Sequence, residues 1–429
     1  MKTCLAGLAL ILAASAAQAD PSAYGCYGLE TAAVLPSVEG QDGVFYRVLA
    51  DLRLRHPMED AVVQQMSALS AALASRGTTL IYVTVPTKSQ AMPQFLPASA
   101  SDYAFDSKTA TLVYDDIVGR LSAAGVLAPD ILTALAATAD GRPFFAADFH
   151  WTAAGARQAA EVIGDLIKAQ PAYADLSVAE YRTTEGAPTT AFSTMRRSLQ
   201  SFCTKALPAV IDTMRQTEVV ESAGLGLADI FAGDGDVVPV VLVGTSFSDT
   251  PLSNFAGFLS EFSGLDVVNY AVTGGNQFGA ITSYLTSRDF AENPPRFLIW
   301  ENPIYNNLAQ YGPDPLEELI AAAGSDCAQP LTITARQDDS LTVDLTGIDI
   351  ARAAVIRADL GSAGPRQAAF TLTTGAGFTR SAVIERSDRM LASGLFYKPL
   401  GSIWHPDLTT VTVTFDRPVT DDASLTLCQ

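Results

Sequence analysis

The sequence offers few side chains able to do chemistry, and two short motifs hold most of them. His150 stands two residues after Asp148 in the run Asp148-Phe-His150-Trp-Thr, and the chain has only three histidines. An aspartate beside a histidine orients the imidazole and stabilises its charged form, which is the supporting role in acyl transfer. Thr152 can cap a helix beginning at Ala153, so the pair is expected on a loop just before a helix. Further on, Gly244-Thr-Ser246-Phe-Ser248 follows an apolar run at residues 237–243. A small-residue turn at the carboxyl end of a strand exposes a side chain above the sheet, where ligands bind in open α/β folds. The helix that follows aims backbone N–H groups at the same place, which suits an oxyanion. A serine there becomes a nucleophile once a base takes its proton. Each motif alone also has a plain structural reading, as a satisfied core histidine and as a strand-to-helix turn capped by Ser246 or Ser248.

The elements that must carry these motifs fall into two groups. Over residues 20–325, helical patterns alternate with short apolar runs. Helices are expected at 59–75, 106–124, 251–262 and 277–288, and strands at 79–85, 237–243, 265–272 and 296–300. That alternation predicts an α/β domain with a mainly parallel sheet. From Cys327 onward the rhythm becomes eight short β-rich runs separated by Gly, Asp and Pro, which predicts a β-sandwich over residues 326–429. The switch falls at residues 321–329, read as the linker.

The N-terminus adds a third segment. Lys2, an apolar stretch over residues 5–17 and Ala17-Gln18-Ala19 form the pattern of a secretory signal spanning residues 1–19. No run is long enough to span a membrane. Export implies an oxidising compartment, the periplasm. Cys26, Cys203, Cys327 and Cys428 remain after removal of the signal. Four cysteines allow three pairings, and bonding within each of the two regions is the simplest expectation. The net charge of −19 argues against nucleic acid as a partner. Residues 352–398 nevertheless hold seven basic side chains against three acidic ones. That excess suits either a polyanion-binding face or a solvated mixed surface. No His/Cys cluster has the spacing of metal ligands, and no metal or organic cofactor is implied.

Taken together, the motifs resemble the SGNH-hydrolase-like domain of the alginate O-acetyltransferases, the AlgX/AlgJ family. The shared features are Asp148-Phe-His150-Trp-Thr-x-x-Gly155-Ala156 and Gly244-Thr-Ser246-Phe-Ser248. Three further segments match: Val85-Pro-Thr-Lys88, Asn269-Tyr-Ala-x-x-Gly274-Gly275 and Trp300-Glu301-Asn-Pro303. Common SGNH esterases place the serine first and the Asp/His block last, whereas this family reverses them. The trailing β-region is similar to the carbohydrate-binding module that distinguishes AlgX from AlgJ, and the cysteine layout fits as well.

The resemblance implies that Ser246 is the nucleophile, His150 its general base and Asp148 the orienting partner. It implies an oxyanion hole from the backbone N–H of Ser246, joined by the Gly275-Asn276 turn unless that is a plain Gly turn. Lys88 is expected to neutralise a uronate carboxylate or to be solvated. Lys398 and Trp404 are expected to meet a sugar ring and its charge, with a core tryptophan as the alternative. The implied activity is transfer of acetyl from an unidentified donor to an anionic exopolysaccharide such as alginate, beside other proteins of a secretion complex. An acetyl esterase with the same residues, and a glycan-binding scaffold without activity, stay open at this level.

Overall fold

A computed structural model describes residues 22–139, 141–220, 238–361 and 364–428. The expected signal at residues 1–19 and the first residue of the strand expected at 237–243 lie outside the described residues. At the centre of the first region is a four-stranded sheet in the order Thr79–Val85, Phe297–Pro303, Val240–Val243, Val267–Asn269, all parallel. Runs such as Thr79-Leu-Ile-Tyr-Val-Thr-Val are apolar on both faces because a parallel sheet is covered on both. Parallel pairing also brings the carboxyl ends of the strands to one edge. The Lys88 loop, the Ser246 turn and Glu301 thus share a neighbourhood although far apart in sequence.

Helices cover the sheet. Asp60–Ser75 buries Val62, Val63, Met66, Leu69 and Leu73 and packs on Asp314–Gly324. Ala153–Lys168 packs on Phe255–Ser263. Burying one such aliphatic side chain is worth about 1.5–3 kcal/mol, so these stripes dominate the stability of the layer.

Some expected elements are broken or shortened, each for a local reason. The helix expected at 251–262 splits into a turn at Pro251–Ser253 and the helix Phe255–Ser263, because Asn254 adopts a left-handed backbone with φ 49°. The helix expected at 277–288 becomes Gly279–Leu285 and Arg288–Glu292. Ser287 starts the second piece by accepting the N–H of Phe290 at 3.2 Å. The strand expected at 265–272 shrinks to Val267–Asn269, where the Asn269 side chain accepts the N–H of Ala271 and turns the chain. The expected linker is shorter too: helix Asp314–Gly324 takes its first part, and strand Gln329–Pro330 follows at once. An antiparallel pair that periodicity did not foresee, Tyr181–Thr190 with Ile211–Val219, lies over helix Phe255–Ser263. Tyr181–Thr190 is largely exposed and Ile211–Val219 largely half-buried, and both are mostly polar, so they carry no apolar alternation to read.

The C-terminal region is a β-sandwich. Five antiparallel strands run in the order Ile333–Arg336, Ser340–Asp344, Leu408–Phe415, Gln367–Thr374, Thr379–Glu385. Four more run Leu395–Pro399, Val355–Asp359, Ser424–Cys428, Gln329–Pro330. Between them lies an apolar core of Leu341, Ile356, Phe370, Phe396, Val413, Leu425 and their neighbours.

The sandwich is docked on the α/β region. Val355, Leu395, Tyr397 and Cys428 belong to the α/β core cluster. Arg386 grips the buried Glu318 through two bonds of 2.7 and 2.5 Å, and Arg288 pairs with Asp359 at 3.1 Å. The disulfides are Cys26–Cys203 and Cys327–Cys428. Among the described residues no helix is long and apolar enough to cross a membrane.

Candidate functional site

Ser246 opens the short helical turn Ser246–Asp249, just past strand Val240–Val243. The Thr245 hydroxyl caps that turn by accepting the N–H of Phe247 at 3.3 Å. The first N–H groups of such a turn have no intrahelical acceptor and face outward. His150 reaches Ser246 from the loop before helix Ala153–Lys168. Its Nε2 lies 2.7 Å from Ser246 Oγ, and its Nδ1 lies 2.6 Å from Asp148 Oδ1. An ionised carboxylate only accepts, so Nδ1 carries the ring proton and the lone pair of Nε2 faces the serine hydroxyl. Asp148 also accepts the backbone N–H of His150 at 2.8 Å and the hydroxyl of Ser193. Its burial alone would raise its pKa. Hydrogen bonds from His150 and Ser193 hold it down at about 2.

The motif residues around the pair have mechanical roles. Trp151 is buried, and its indole N–H donates to the carbonyl of Phe247 at 2.8 Å, which ties the histidine loop to the serine turn. Thr152 caps helix Ala153–Lys168 by accepting the N–H of Gly155 at 3.2 Å. A side chain at Gly155 would put its Cβ 2.2 Å from the carbonyl oxygen of Pro143, so only glycine allows that approach. A cavity of about 50 Å³ adjoins Ser246 and His150, walled by Phe145, Trp151, Val210, Phe247 and Leu252.

A buried carboxyl braces the serine turn from below. Glu301 is fully buried and accepts the N–H of Thr245 at 2.8 Å, the Thr245 hydroxyl at 3.0 Å and the Ser248 hydroxyl at 2.9 Å. Burial pushes its pKa up to about 7 against these stabilising bonds.

Other expected site residues are engaged elsewhere. Lys88 is 1% exposed, and its ammonium donates to the carbonyls of Phe45 at 2.9 Å and Ala146 at 3.1 Å. Burial lowers its pKa to about 8, against the charges of Asp51 and Asp148. It braces the loop beneath Asp148 and presents no charge to a uronate. Lys398 is buried at the junction of the two regions and pairs with Asp314 at 3.3 Å. Trp404 packs on the sandwich core and donates to the carbonyl of Ile350 at 2.9 Å. The N–H of Gly275 is spent on Val272 at 3.1 Å. The Asn276 side-chain oxygen accepts the N–H of Phe278 at 3.1 Å. The Gly275 N–H is thereby engaged within its own turn, whereas the bond to Phe278 uses only the acceptor oxygen of Asn276 and none of its donors. Among the described residues no group of three or more His, Cys, Asp or Glu side chains could hold a metal ion.

Sequence reasoning assigned no role to Ser193 or Glu301. Glu301 carried a signal, a charged residue inside the apolar run Phe-Leu-Ile-Trp-Glu. Ser193 carried none, since its bond to Asp148 spans 45 residues of chain.

Comparison with known proteins identifies relatives of the chain. Residues 38–304 match the family described as SGNH hydrolase-like domain, acetyltransferase AlgX. The chain is 31% identical over 273 residues to the alginate biosynthesis protein AlgX of Pseudomonas aeruginosa, covering 64% of this chain and 56% of that one. It is 32% identical over 281 residues to the probable alginate O-acetylase AlgJ of Pseudomonas syringae, covering 63% and 68%. The solved structure of Pseudomonas aeruginosa AlgX superposes with a TM-score of 0.77 at 25% identity, covering 92% of this chain and 94% of that one. The chain spans under two thirds of the length of the curated AlgX relatives that it matches, 56% and 59% for two of them.

Proposed function

Because the chain belongs to the AlgX family of SGNH hydrolase-like acetyltransferases, we propose that it moves acetyl groups onto an exopolysaccharide through Ser246. The observation that carries this reading is the hydrogen-bonded line from Asp148 through His150 to Ser246, at 2.6 and 2.7 Å. Ser246 Oγ attacks the carbonyl carbon of the acetyl donor while Nε2 of His150 takes its proton. The negative oxygen of the tetrahedral intermediate faces the backbone N–H of Ser246. The intermediate collapses, the donor's leaving group departs with the proton from His150, and acetyl-Ser246 remains. A polysaccharide hydroxyl then gives its proton to His150 and attacks the acetyl carbon. The second collapse returns the proton to Ser246 and releases the acetyl ester.

The cavity of about 50 Å³ beside Ser246 supports a two-carbon acyl group; one water needs about 10–15 Å³ of such space. Alginate is the polymer named for the relatives, and we take an anionic polyuronate as the acceptor. The reading includes export to the periplasm, supported by the signal pattern at residues 1–19 and by two disulfides.

The test is turnover of a chromogenic acetyl ester with and without oligouronate, with mass spectrometry of the sugar. The expected result is an acetylated sugar with the wild type and none with Ser246→Ala. Release of acetate alone would make the chain an esterase. No turnover and no labelling of Ser246 would leave a scaffold.

A further inference from the structure

We infer that Glu301 is the positioning residue of the nucleophile: as a carboxylate it clamps the Gly244–Ser248 turn so that Ser246 meets His150 and offers its N–H to the oxyanion. The inference rests on the reading of Ser246 as nucleophile and adds a second acidic group, separate from Asp148, on which reactivity depends.

Three features of the geometry carry it. First, the clamp is aimed at the residues on either side of Ser246. Both oxygens of Glu301 engage Thr245, which precedes Ser246, and one also takes the hydroxyl of Ser248. Second, the turn is built to admit the carboxyl. A Cβ on Gly244 would lie 2.5 Å from Glu301 Oε2 and 3.1 Å from Ser248 Oγ. Third, the donors ask for an acceptor. The N–H of Thr245 can only donate, and the Thr245 hydroxyl, which accepts the N–H of Phe247, has its own proton to give to Glu301. A carboxylate accepts from all of them, whereas a protonated carboxyl has to turn its own proton onto one of the two hydroxyls and gives up a bond that it would otherwise accept.

The hydrogen bonds to Glu301 come from neutral groups, the N–H and hydroxyl of Thr245 and the hydroxyl of Ser248. Tyr82 on the adjacent strand and Tyr305 just beyond its own strand are the titratable neighbours, and burial raises the pKa of both. Arg47 reaches Tyr305 and is bound to Asp51. Such a carboxyl is held by hydrogen bonds and changes state near neutral pH.

The test is the rate at which phenylmethylsulfonyl fluoride labels Ser246, followed by mass spectrometry across pH 5–9 in wild type and Glu301→Gln. This reagent needs an activated serine and no acetyl acceptor. Glu301→Gln is expected to label about 10-fold to 100-fold more slowly at neutral pH, the cost of a nucleophile held slightly off its line. Its acid limb should fall with a slope of about one, where the wild type falls with a slope of about two. Thr245→Val, which removes only the hydroxyl, should slow labelling by less and keeps the question open to measurement if Glu301→Gln does not fold. Equal rates in folded wild type and variants overturn the inference. A slower rate with an unchanged acid slope also overturns it, since that would reduce Glu301 to packing. A wild type that never labels at Ser246 overturns both this and the nucleophile reading.

Discussion

The α/β region and the β-sandwich both bury charged side chains, but they spend them differently. In the α/β region Asp51, Lys88, Asp148 and Glu301 are all buried at the carboxyl edge of the parallel sheet, around the serine turn. In the sandwich the core between the sheets is apolar, and the buried Arg386 and Lys398 both face the other region. Desolvating a charge costs several kcal/mol unless partners compensate. One region accepts that cost to hold a reacting group in place, the other to fix a docking geometry. The lesson is that part of a basic excess in sequence can serve the join between two regions. Two of the seven cations in residues 352–398 are consumed by Glu318 and Asp314.

The largest expected effect falls on the first region. Ser246→Ala should remove acetyl ester turnover by about 10⁴-fold or more, and His150→Ala added to it should cost little further, because such residues act as a unit. Steady-state kinetics of the single and double variants checks this, with the unfolding of the sandwich unchanged.

The next effect falls on the second. Glu318→Ala strands Arg386 without its partner and should destabilise the docked pair by about 3–5 kcal/mol, whereas replacing both by apolar residues of similar volume should be far milder. Denaturant unfolding decides between these outcomes. If the comparison is sound, Glu318→Ala separates the unfolding of the two regions and leaves the site chemistry of the folded state intact.

A pH titration sharpens the contrast further. The carboxyl of Glu301 is raised from 4.5 to about 7, so the folded state holds that proton more tightly than the unfolded chain does. Its stabilisation is full below pH 4.5 and is lost as pH rises through 7, by about 3 kcal/mol. Glu301→Gln should therefore flatten the stability curve over that window, as chemical denaturation at several pH values would show. Asp148 has the opposite sign: its stabilisation is present above the ordinary carboxylate value and fades as pH falls toward 2. On this reading the ionised form that serves the serine turn is the less stable one, an instance of function drawing on stability.

The smallest effect is expected at Lys398. Its partner Asp314 is largely exposed, so Lys398→Met should cost under about 1 kcal/mol. Oligouronate affinity, measured by calorimetry, should be unchanged.

How much of this the sequence disclosed depended on the range of the interaction. Periodicity reported the helix Asp60–Ser75 and the strand Thr79–Val85 nearly to the residue, because burial on a fixed face imposes a fixed spacing. The convergence of Asp148, His150 and Ser246 was legible through the resemblance to a known family, since each motif alone also read as a structural feature. Burial of Lys88 was not, because the carbonyls of Phe45 and Ala146 that hold it come from distant segments. The hairpin near residues 181–219 was invisible for a related reason. Its strands are stabilised by backbone pairing and by one covering helix, neither of which leaves a pattern in side-chain hydropathy.

The bond between Cys327 and Cys428 joins the entrance of the sandwich to its last strand. The stretch from Cys327 to Cys428 is therefore a covalent ring, joined through the backbone at Ser325 and Asp326 to the α/β region, on which it also rests through the Arg386–Glu318 and Arg288–Asp359 pairs. A protease that nicks any loop inside the ring opens it without releasing a fragment. One cut at Ser325 leaves the whole ring held by noncovalent contacts only.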